Sequence, residues 1–78
     1  MQLYHKLRLN IALFLLEHNQ LQFVDVWYYN KRLHKECIIT FTRTTSKVSR
    51  LKWKRDLLKG VSLKIYRLTY IHFGDTML

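Results

Sequence analysis

The sequence predicts a small α+β domain whose antiparallel sheet carries its helices on one face, in the order α-β-β-α-β. Three observations lead there. The chain has 78 residues, which suits one domain (1–78) and leaves no room for a second. Apolar residues make up 49% of it, while proline is absent and glycine occurs only at 60 and 74; disordered chains show the opposite bias. The apolar spacing also switches along the chain between helical and strand periods.

Residues 2–18 read as a helix. Leu3, Tyr4, Leu7, Ile11, Phe14 and Leu15 recur at spacings of three and four and form one apolar stripe. Leu9, Ala12, Leu13 and Leu16 form a second stripe on nearly the opposite side. One stripe packs on the sheet and the other needs a further cover. Either other elements of the domain wrap both sides of the helix, or Leu9, Leu13 and Leu16 form a face for a dimer or a partner protein. Lys6 and Arg8 ahead of the run Leu9–Leu16 mimic a signal peptide, but the run ends in Glu17-His18-Asn19 without a small-residue cleavage site. It also falls short of the roughly 20 apolar residues a spanning helix needs, so no membrane span is expected.

Residues 21–29, LQFVDVWYY, are rich in β-branched and aromatic side chains and read as a strand. Alternation sets Phe23, Asp25, Trp27 and Tyr29 against Val24, Val26 and Tyr28. Asn30 opens a turn over 30–32, in a left-handed or Asx-type conformation. Residues 36–44 then return as the second strand of a hairpin, with Cys37, Ile39 and Phe41 on one side and Ile38, Thr40 and Thr42 on the other. Ser46 or Ser49 caps a second helix that stops at Gly60, a natural position for a left-handed glycine. Its apolar residues are split, Leu51 with Leu58 and Trp53 with Leu57, with Arg50 and Lys54 between. Residues 61–73 read as the last strand, long enough to need a bulge near Arg67. Residues 74–78 form a free tail. The alternative architecture is one helix followed by a four-stranded meander.

The formal charge of +9 is unevenly placed. Twelve of the fourteen lysines and arginines lie between residues 31 and 67, against two carboxylates there, Glu36 and Asp56. Such a concentration creates a positive field that attracts polyanions. Arg43, Lys47, Arg50, Lys52, Lys54, Arg55, Lys59, Lys64 and Arg67 crowd residues 43–67, with hydroxyls interleaved and Trp53 among them. Cations neutralise phosphates, hydroxyls add contacts, and an exposed indole stacks on an unpaired base. The sequence therefore predicts a module that binds DNA or RNA mainly through the phosphate backbone, with these nine cations and Trp53 as its contact residues. The alternative is a small inhibitor or accessory factor that docks its basic face on an acidic protein surface.

Other chemistries find little support. The chain has no Gly-rich phosphate loop and no pair of carboxylates spaced for joint catalysis. His34 and Cys37 are spaced as two metal ligands, but zinc needs four, and the other histidines are scattered. A metal-free nuclease would draw on His34, Glu36, His72 and Arg43 or Arg67. No enzyme activity, metal or cofactor is expected. The lone Cys37 excludes an internal disulfide and suits a reducing compartment, the cytoplasm, or the nucleoid or nucleus for a nucleic-acid binder.

Overall fold

The computed structural model describes residues 2–72 and has the expected order: α1 (Gln2–Glu17), β1 (Leu21–Asn30), β2 (Lys35–Thr42), α2 (Lys47–Lys59) and β3 (Leu63–His72). The three strands form one antiparallel sheet in the order β2-β1-β3. The meander alternative fails because residues 47–59 are helical. Phe73 and the expected tail at 74–78 lie outside the described residues.

Local chemistry fixes the junctions. α1 closes on Asn19, whose φ of 62° is the left-handed conformation that asparagine tolerates. There the Gln20 N–H donates to the Leu15 carbonyl (2.8 Å) and the Asn19 N–H to the Leu16 carbonyl (3.2 Å), the paired bonds that satisfy a helix C-terminus. The hairpin turn is of the Asx type: the Asn30 side-chain oxygen accepts from the backbone N–H groups of Arg32 (3.0 Å) and Leu33 (3.1 Å). His34, not Asn30, takes the positive φ, 52°. Ser46 caps α2 by accepting from the Ser49 N–H at 3.1 Å. Gly60 ends the helix at φ 66°, and its carbonyl accepts from the Lys31 ammonium (3.4 Å), tying the hairpin turn to the α2–β3 loop.

Both helices pack on one face of the sheet. The core joins Leu9, Ala12, Leu13 and Leu16 of α1 and Leu57 of α2 to Val24, Val26, Tyr28, Phe41, Ile65 and Leu68 of the sheet. This corrects the expected dimer or partner face: Leu9, Leu13 and Leu16 are 0%, 3% and 1% exposed, inside the domain. Both α1 stripes satisfy the helical period, so spacing could not choose between them. Ala12 lets the helix axis approach the sheet closely, and the stripe around it carries no polar atom. The opposite stripe, Leu3, Tyr4, Leu7, Ile11 and Phe14, is left 51–79% exposed.

Candidate functional site

With both helices on one side, no element among the described residues covers the other face of the sheet. Strand register arranges that face in rows. Across β2, β1 and β3 they run Glu36–Tyr29–Lys64, Ile38–Trp27–Arg67, Thr40–Asp25–Thr69 and Thr42–Phe23–Ile71. In two successive rows an aromatic side chain of the central strand therefore lies beside a cation of β3. The Arg67 guanidinium sits 4.8 Å from the Trp27 ring centroid, within cation–π range.

The long final strand contains a bulge, as its length suggested. Pairing slips between Trp27↔Arg67 and Tyr28↔Ile65, which leaves Tyr66 as the extra residue. A bulge re-aims the side chain it carries, and Tyr66 is 41% exposed. Together with Trp27, Glu36, Cys37 and Ile38 it lines a shallow hollow of about 270 Å³. The Trp27 indole Nε1 is shielded from solvent and meets no acceptor. Asp25 is engaged within the face, accepting from the Thr40 hydroxyl at 2.6 Å.

The structure does not gather the cations of residues 43–67 on one surface. Arg43, in the turn after β2, donates to the Asn19 side-chain oxygen at 3.4 Å. Lys47, Arg50 and Lys54 line a narrow groove between the helices together with Leu13, Phe14 and Glu17. Lys52, Arg55 and Lys59 are exposed along α2. Lys64 and Arg67 alone reach the open sheet face. Helical and strand periods divide a run that is continuous in sequence. Trp53 is also not a free contact residue. Both tryptophans are half-buried, but Trp53 packs against the core, with its ring 5.9 Å from that of Tyr28.

Trp27 and Tyr29 are not among the expected nucleic-acid contacts; the aromatic run they belong to is an expected anchor only for a protein partner, whereas Tyr66 is expected, with Trp53, to stack on an unpaired base. A signal for Trp27 and Tyr29 was nonetheless present: alternation set them apart from the valines.

The nuclease candidates do not converge. His34 lies beyond the Asn30 end of β1, while His72 pairs with Leu21 at the other end. The intervening strand spans about 30 Å at ~3.4 Å per residue. Among the described residues no three His, Cys, Asp or Glu side chains come together. Cys37 packs against the core. Its cross-strand neighbour Tyr28 has a phenol pKa raised above 10.0, first by burial and then by Cys37. No described helix is long and apolar enough to cross a membrane. No family model, curated protein or solved structure matches the chain.

Proposed function

We propose that this domain binds nucleic acid on the open face of its sheet. The observation that carries the reading is the Trp27–Arg67 pair, 4.8 Å apart on a face that no element among the described residues covers, with Tyr29 and Lys64 in the adjoining row. Aromatic rings stack on bases and cations neutralise phosphates; together they form the usual platform for a nucleic-acid strand. The positive charge on α2 has a different role here. Lys52, Arg55 and Lys59 lie on the helical side of the domain and raise the encounter rate with a polyanion rather than hold it.

A salt series of fluorescence-anisotropy titrations with labelled oligonucleotides tests the reading. Binding weakens with salt, and replacing Lys64 and Arg67 by glutamine flattens the slope by about 0.7 for each single-strand phosphate left without its cation. If the protein, freed of nucleic acid by nuclease, retains no oligonucleotide at low salt, the reading is wrong.

One observation favours a second reading, a protein-docking role. Tyr4, Leu7, Ile11 and Phe14 recur at spacings of three and four on the exposed side of α1, in the pattern of a helix-pairing seam. Two copies meeting along this stripe would cover it. Light scattering on the protein and on Ile11→Asp tests this: a dimer that the substitution dissociates supports it, and a monomer at every concentration excludes it.

A further inference from the structure

We infer that the open sheet face is built for unpaired bases, so that its ligand is single-stranded DNA or RNA rather than a duplex. The inference rests on the nucleic-acid reading above and adds the class of strand. It follows from the spacing of the rings. Trp27 and Tyr29 are two residues apart on β1, which sets them about 7 Å apart along the strand. Bases along one strand of a duplex are stacked about 3.4 Å apart. One base on each ring thus requires a strand stretched to about twice that spacing, with neighbouring bases parted. A duplex cannot supply that without melting.

The chemistry across the strands also gives the ligand a lie. Lys64 and Arg67 both belong to β3, at one margin of the sheet. Trp27 and Tyr29 occupy the centre, and Glu36 stands at the opposite margin on β2. A carboxylate repels phosphate and the cations attract it, so the sugar–phosphate chain runs along β3. The bases then reach inward over β1. Arg67 serves this arrangement in two ways, as a charge for phosphate and as a flat plane on which a base also stacks. Tyr66, displaced outward by the bulge, borders the hollow over Trp27.

The chain contains only two tryptophans, which makes the test direct. In Trp53→Phe the sole indole is Trp27. Oligothymidylate and oligouridylate 12-mers and a mixed-sequence 12-base-pair duplex are titrated into that variant, following tryptophan emission. The same probes are followed by anisotropy with the unsubstituted protein, so that the result does not depend on how the variant folds. The expected result is quenching of Trp27 by a single strand and at least about tenfold tighter binding of that strand than of the duplex. Which 12-mer binds better tells DNA from RNA. Trp27→Ala weakens single-strand binding about tenfold or more, the scale of removing one base stack, and Trp27→Phe restores much of it. Equal binding of duplex and single strands with Trp27 unquenched overturns the inference while leaving the nucleic-acid reading standing. No binding of any probe overturns both.

Discussion

The two faces of β1 make an instructive pair. They belong to the same ten residues and are similarly rich in apolar side chains. Val24, Val26 and Tyr28 are 0–6% exposed beneath the helices. Phe23, Trp27 and Tyr29 alternate with them on a face that no described helix covers. Composition does not separate the faces; coverage does. The buried face holds aliphatic groups and one phenol, whereas the open face holds flat rings beside Arg67 and Lys64. Large rings beside cations suit a polyanion with planar bases and do little for a core.

The sharpest way to break this comparison is to charge each side. Leu13→Asp places a carboxylate in the core, where an unpaired charge is strongly unfavourable. The expected outcome is an unfolded chain by circular dichroism, because small domains have little stability to lose. Ile11→Asp, two residues away on the exposed stripe, should leave the fold intact. If Leu13→Asp folds normally, the assignment of the α1 faces is wrong.

Next in size is the effect on binding. Arg67→Ala combined with Lys64→Ala should reduce oligonucleotide affinity by an order of magnitude or more, while urea unfolding changes by less than about 1 kcal/mol, as for exposed side chains. Charge reversal of Lys52, Arg55 and Lys59 should slow association and leave dissociation nearly unchanged, the signature of steering by distant charge. Stopped-flow kinetics separates the two. A larger loss from the α2 variant than from the sheet variant would move the site to the helix.

A scaffold change of intermediate size should affect both faces alike. Ser46→Ala removes the α2 cap and should cost about 1 kcal/mol in urea unfolding, with oligonucleotide affinity of the folded protein unchanged. The alkaline limb gives a smaller and more specific effect. Tyr28 has its pKa raised in the folded state, by burial and by Cys37. The folded protein therefore keeps this proton when the unfolded chain loses it. The stability so contributed is full below pH ~10, the unfolded value, and is lost as pH rises through the folded value. Stability measured from pH 9 to 11 should fall more steeply in the unsubstituted protein than in Tyr28→Phe.

Much of the fold was legible in the sequence. Asn30, Ser46 and Gly60 mark the turn, the cap and the stop, and each acts through a short-range bond or a backbone preference that neighbouring residues reveal. The alternation in β1 and β2 likewise separated the buried face from the open one. Two features were not legible for the same physical reason. The helical period allows two apolar stripes on α1, and only the packing of Ala12 against the sheet selects one. The basic run from Arg43 to Arg67 is contiguous in sequence, but a helix, a loop and a strand send its side chains in different directions. Trp53 is drawn inward by the core, and the proposed base contact is Trp27, which lies in a segment with no charge excess to mark it.

The most direct test of the account is a backbone and indole amide chemical-shift titration of the protein with a single-stranded 12-mer. The expected result is shifts concentrated at the Trp27 indole N–H, Tyr29, Lys64, Tyr66 and Arg67, with the α1 amides and those of Lys52–Lys59 nearly still. Shifts confined to α2 or to the exposed stripe of α1, with the open sheet face unchanged, would contradict it.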